Sequence, residues 1–230
     1  MSVHVIYYKD KAKMMRPVQK RENYLKLRGS KKQKATLAAV RDGDEGEKMK
    51  LVQMNYSCLP NDDGTLKGST RMSTTIGMDI DHIGAEEMEA VKERILEKKE
   101  ELGLLMLEKS ARGQGYHVVF RRRAELTQEE NLRWASELLG VEFDSGAKDI
   151  TRVFFTTTAD EEDLIFLDDE VFEIAEAKAN TKASEANTNR TNDTNFLPSA
   201  EANTKNLLNT NRTNDTNGQT PSPLRGTPPF

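Results

Sequence analysis

At 230 residues, with 36% hydrophobic and 31% charged side chains and a mean hydropathy of -0.73, the chain holds one domain of ordinary size plus a polar segment that is not core. One cysteine excludes an internal disulfide framework and a multi-cysteine zinc module, and His4, His82 and His117 are too few for a histidine-rich metal cage. No apolar run reaches the roughly 20 residues that span a bilayer, and the opening residues lack the apolar stretch of a secretory leader, so a reducing, cytoplasmic setting away from membranes is expected.

The net charge of -4 is unevenly spread: from Lys9 to Lys34 eleven Lys and Arg stand against Asp10 and Glu22, a surplus of nine. Such a strip is either a solvated, partly disordered basic arm or a surface that neutralises phosphates, with Lys31, Lys32 and Lys34 at its end.

In chain order, SVHVIYY (2–8) reads as a strand and residues 30–41 as a short helix, and Asp62-Asp63-Gly64 as a turn. TTIGMDID (74–81) reads as a strand. Residues 85–102 read as a helix, with Met88, Val91, Ile95 and Leu102 near a 3.6-residue period and Gly103 to close it. LLMLEKS (104–110) and YHVVF (116–120) are two more strands around the loop ARGQG, and Thr127 with Glu130 forms a capping box for a helix that Gly140 stops. VEFD and TRVFFTTT are expected as further strands, with LIFL (164–167) last. From about Ala179 the composition changes: residues 179–220 hold eleven Asn and nine Thr, and NTNRTNDTN occurs twice, which predicts a disordered low-complexity tail over 179–230 behind a folded domain over 1–178. The order strand, helix, strand, strand, helix, strand predicts an α+β fold with a split βαβ sheet of ferredoxin-like or RNA-recognition-motif-like form, both helices on one face and the other face open for a ligand.

Asp79 and Asp81 stand two apart on a strand, so both project from one face. Two close carboxylates repel, and burying them is costly without a cation; oxygen-only ligands at this spacing suit Mg²⁺ or Mn²⁺, although the pair is also common on exposed strand ends. In KSARGQGYHVVF, Gly113 and Gly115 let the backbone approach an anion, and Ser110, Lys109 and Arg112 add donors and charge ahead of His117. A plain hairpin turn with a half-buried histidine explains the same residues. Asp144, Lys148 and Arg152 offer a third acid and two cations, with Asp149 a rival for the acidic role.

The three pieces GMDIDHI, SARGQGYHVVF and FDSGAKDITRVFF resemble, in order and spacing, motifs I, II and III of archaeo-eukaryotic primases and primase-polymerases. The stretch from LVQMNYSCLP through TRVFFTT also resembles the VirE N-terminal domain family of bacterial mobile elements, over about residues 50–167. The resemblance implies that Asp79, Asp81 and Asp144 hold divalent metal for two-metal nucleotide transfer. It implies that His117 contacts the triphosphate or sugar, and that Arg152, with Lys148, meets the phosphates. It further implies nucleoside triphosphates and a single-stranded or primed template as partners, with a helicase supplied by another chain. Many members carry serine two residues before the histidine, where this chain has Gly115, and the zinc element of many primases is missing. Arg121, Arg122 and Arg123 either hold template backbone or are a solvated strand end. Competing readings are a catalytically degenerate nucleic-acid-binding module, a metal-dependent nuclease, and a ferredoxin-like domain with another ligand.

Overall fold

The computed structural model describes residues 3–173; the Asn/Thr-rich tail and the last residues of the expected 1–178 domain lie outside the described residues. The described fold is α+β, with two four-stranded antiparallel sheets.

The basic stretch is ordered. Strand β1 (His4–Lys9) turns at Asp10-Lys11 into β2 (Ala12–Pro17). Both turn residues have positive φ, 49 and 68, the backbone form that lets a two-residue hairpin follow the strand twist. Helix α1 (Arg21–Arg28) follows, then α2 (Lys31–Arg41), whose first turn is capped by the Ser30 hydroxyl accepting from the Gln33 amide at 3.1 Å. Of the two readings of this stretch, the disorder in the basic-arm reading is therefore corrected: four regular elements occupy it, with Lys31, Lys32 and Lys34 exposed and Arg28 fully buried.

Strand β3 (Gln53–Asn55) and β7 (Phe154–Phe155) complete the first sheet, ordered β2-β1-β3-β7. The second sheet runs β4-β6-β5-β8, from β4 (Thr75–Ile80), β5 (Leu104–Lys109), β6 (Tyr116–Arg121) and β8 (Leu164–Leu167). Between β4 and β5 come α3 (Met88–Glu97) and the single turn α4 (Lys99–Leu102), ended by left-handed Gly103. Helix α5 (Gln128–Leu139) starts at the Thr127–Glu130 capping box, both halves of which form, and stops at left-handed Gly140.

Strand alternation sorts the core into two layers. Ile76, Met78, Ile80, Val118 and Phe120 face the helices and pack with Val91, Ile95, Leu132, Ala135 and Leu139. Leu105, Met106 and Val119 pack instead with Val5, Met54, Tyr56 and Phe154 of the first sheet. The face expected to stay open is thus covered by a second sheet, because β5 and β6 are apolar on both sides and must bury both. Gly77 permits the approach: a Cβ there would lie 2.6 Å from the Phe154 ring.

The two strands expected after α5 are also corrected. Residues 141–144 form no strand and meet β4 through one backbone bond, Asp144 N–H to the Asp79 carbonyl at 2.8 Å, before a 3-10 turn at Ser145–Lys148. Of TRVFFTTT only Phe154–Phe155 is strand, and it pairs with β3 in the other sheet. Among the described residues no helix is long and apolar enough to cross a membrane.

Candidate functional site

Three carboxylates from separate parts of the chain converge at the end of β4. Asp79 projects from β4 away from the helices, and Asp81 lies two residues on, just past the strand end. His82, with φ of 60, turns the chain there. The backbone bond from Asp144 to Asp79 brings in the third acid, whose Oδ1 also accepts from the Gly146 amide at 2.7 Å. One oxygen from each of Asp79, Asp81 and Asp144 lies within 4.8 Å of the others. Asp79 is buried, Asp144 half-buried and Asp81 exposed. The rival Asp149 lines the cavity, and its Oδ1 accepts from the amide and hydroxyl of Thr151, each at 2.8 Å; it is Asp144 whose oxygen converges with those of Asp79 and Asp81.

Arg152 supplies countercharge, its Nη2 lying 3.1 Å from Asp79 Oδ2 and 2.9 Å from Asp144 Oδ2. Gly146 leaves room for it, since a Cβ there would sit 2.7 Å from Arg152 Nη1. Although Asp81 is exposed, desolvation by the surrounding protein, then the neighbouring Asp79 charge, raises its carboxyl above its ordinary range. Asp79 Oδ1 is buried without a hydrogen-bond partner, and His117 Nε2 lies 3.6 Å from it. An unmatched buried carboxylate oxygen beside two more carboxylates, in an oxygen-only donor set, fits a hard divalent cation such as Mg²⁺ or Mn²⁺.

His117 belongs to a row that crosses three strands. In register, Asp79 on β4 is opposite His117 on β6, and His117 is opposite Glu108 on β5. His117 Nδ1 and Glu108 Oε1 are 2.8 Å apart, and Phe154 meets the imidazole edge to face with centroids 5.2 Å apart. Glu108 is fully buried; its Oε2 accepts from Arg28, from the Thr157 amide at 3.1 Å and from the Thr157 hydroxyl at 2.9 Å. Arg28 in turn donates to the Tyr24 hydroxyl at 2.5 Å, and that hydroxyl is hydrogen-bonded to the Tyr56 hydroxyl at 3.0 Å. Burial alone would push the Glu108 carboxyl up, but Arg28 and the His117 and Thr157 hydrogen bonds outweigh it and hold it at about 2. For His117, burial favours the neutral ring, yet the Glu108 bond and charge, with Asp79, raise its pKa.

A cavity of about 420 Å³ opens over Asp79 and Asp81; Asp149 lines it and Asp144 does not, and Ser110, Arg112, His117 and Arg152 complete the wall. Sequence reasoning missed Lys13 and Lys48 in its wall, and missed Glu108 and Arg28 beneath it. The signal for Glu108 was a lone acid inside the apolar strand LLMLEK; for Arg28 none exists in the sequence.

Most of the other expected site residues are engaged by the fold, while Lys31 and Lys32 are exposed. Arg112 forms a bidentate pair with Glu45 at 2.7 and 2.6 Å while still facing the cavity. Gly113 has φ of 75, a turn conformation, and Gly115 is required for packing against Ile80 rather than for an anion. Lys148 pairs with Glu129 at 2.9 Å and does not line the cavity. Arg121, Arg122 and Arg123 sit toward the far end of β6 from His117 and serve the fold. Arg121 pairs with Glu170, and Arg123 stacks 3.6 Å from the Trp134 ring centre. Arg122 donates to the carbonyls of Ser73, Ser57 and Thr75 and to Gln128, and burial lowers its pKa to about 10. Lys31 and Lys32 are exposed on α2, and Lys34 pairs with Asp160 at 2.7 Å. Compared with known proteins, the chain matches no family model, no curated protein and no solved structure.

Proposed function

We propose that this chain is a primase-polymerase-like nucleotidyltransferase domain of a mobile element, adding nucleotides to a nucleic-acid 3′-hydroxyl in the cytoplasm. The observation that carries the reading is the convergence of Asp79, Asp81 and Asp144 within 4.8 Å, with His117 Nε2 at 3.6 Å from Asp79. The strand order supports it too: β6 lies between β4 and β5, with α3 and α4 connecting β4 to β5 and α5 following β6.

Asp79, Asp81 and Asp144 would hold Mg²⁺ or Mn²⁺, which when bound supplies a 3′-hydroxyl of lowered pKa and charge neutralisation at the leaving pyrophosphate. The chain's own groups do the rest. His117 Nε2 faces the cavity, where a proton on it can be donated to a phosphate oxygen. Lys13 and Lys48 line the same space and put positive charge where a triphosphate would need it, while Arg112 and Arg152 also line it but are paired with Glu45 and with Asp79 and Asp144. Phe154 closes one side of the imidazole against water. A primed or unprimed template and a helicase on another chain complete the expected partners.

The test incubates the full chain with Mn²⁺ or Mg²⁺, labelled nucleotides and a primed or unprimed template, beside Asp79→Ala and Asp81→Ala. Extension that both substitutions abolish supports the proposal. Template shortening instead indicates a nuclease, salt-sensitive binding without turnover indicates a degenerate binding module, and no binding removes every nucleic-acid reading.

A further inference from the structure

We infer that Glu108, seated on Arg28 in the core, is a positioning residue that keeps a proton on Nδ1 of His117 and reserves Nε2 for the acid-lined cavity. The two nitrogens of the ring meet different surroundings. Nδ1 faces Glu108 Oε1 at 2.8 Å inside the protein, whereas Nε2 faces Asp79 and the cavity.

Glu108 is fully buried, and its second oxygen is filled by Arg28 and by both donors of Thr157. Arg28 is itself fully buried, so the two charges compensate each other, and neither has a path to water. An ionised carboxylate only accepts hydrogen bonds, which obliges Nδ1 to carry a proton whether the ring is neutral or charged. Any proton that His117 gives or takes is therefore on Nε2. The ring cannot rotate away, because Phe154 is packed on it edge to face and β4, β6 and β5 hold Asp79, His117 and Glu108 in one register row. The whole device is anchored from α1, which contributes Arg28 and Tyr24, to a strand 80 residues later in the chain. The catalytic consequence rests on the proposed role of His117; the tautomer does not.

The measurement is the two-bond ¹H–¹⁵N spectrum of the His117 ring in the full chain, at a pH where the ring is neutral, for wild type, Glu108→Gln and Thr157→Val. Wild type is expected to show the Nδ1–H tautomer. Thr157→Val, which disturbs the same core but spares the carboxylate, should keep it, and Glu108→Gln should lose it. In the extension assay Glu108→Gln should lower kcat by about 10- to 100-fold with KM for nucleotide little changed. An Nε2–H tautomer in wild type, or an unchanged tautomer in Glu108→Gln, overturns the inference. If Glu108→Gln does not fold, the wild-type and Thr157→Val spectra still decide it. Wild-type protein that shows Nδ1–H but extends nothing would sink the proposed function and leave this inference standing.

Discussion

The backbone of Gly115 lies so close to the carbonyl oxygen of Ile80 that a Cβ at position 115 would sit 2.0 Å from it. Ile80 ends β4 directly before Asp81, and Gly115 precedes β6, so the contact fixes where the acidic cluster meets the His117 strand. Gly115→Ser, which would add a hydroxyl two residues before His117, must displace backbone rather than a flexible side chain. We expect a loss of about 1–3 kcal/mol in urea unfolding, with weaker Mn²⁺ binding from a displaced Asp81. A neutral Gly115→Ser would contradict the close approach.

Arg152 is the cation that the acids share, at 3.1 Å from Asp79 and 2.9 Å from Asp144. Arg152→Met removes that countercharge and leaves the carboxylates to repel one another. Its metal-free Tm should fall below wild type, and millimolar Mn²⁺ should raise it more than it raises wild type, as followed by thermal unfolding with and without the ion. Equal Mn²⁺ protection of both proteins would deny Arg152 this role.

Glu108 makes the fold acid-labile. Its carboxyl is held at about 2 in the folded protein, chiefly by Arg28 working against burial, so its contribution is present above the unfolded value and is lost as pH falls through the folded one. Between pH of about 4.3 and about 2 this group alone should remove on the order of 3 kcal/mol. At neutral pH Glu108→Gln, which leaves Arg28 buried without its charge partner, should cost about 3–5 kcal/mol. Urea unfolding across this range should show the wild type and Glu108→Gln converging on acidification; a constant gap would contradict the assignment.

Cys58 is fully buried, and burial pushes its thiol up to about 12. A disulfide reagent at pH 8 should therefore label it only after unfolding, with a rate that rises steeply in urea. Rapid labelling of the native protein would show that the packing around Cys58 and Leu66 opens locally.

Local signals made part of this molecule legible. The α5 boundaries are written in Thr127, Glu130 and Gly140, each acting within one turn, and strand alternation placed Asp79 on the side of β4 away from the helices, whereas Asp81, expected on the same strand, lies just past its end. The β1–β2 hairpin escaped because its turn uses Asp10 and Lys11 in place of the glycine or asparagine that advertises positive φ. The second sheet escaped because β3 pairs with β1 and with β7, partners that no local pattern connects. The same limit hid the pairing of Arg28 with Glu108: charge in a basic run says nothing about burial, and Arg28 reads like its solvated neighbours until α1 is folded onto β5. Lys148 and Arg121 to Arg123 erred the opposite way, since a cation near a motif in sequence is free for a ligand only when no carboxylate, carbonyl or ring of the fold has claimed it.

The most direct measurement is an electron paramagnetic resonance titration of the full chain with Mn²⁺, compared across wild type, Asp79→Asn, Asp81→Asn and Asp144→Asn. Saturable binding in wild type, weakened at least about tenfold by each substitution, is the predicted result, at roughly 1.4 kcal/mol or more per lost carboxylate. Wild type that binds no Mn²⁺, or variants that bind it as well as wild type does, would contradict the claim that these three acids form one metal-holding site.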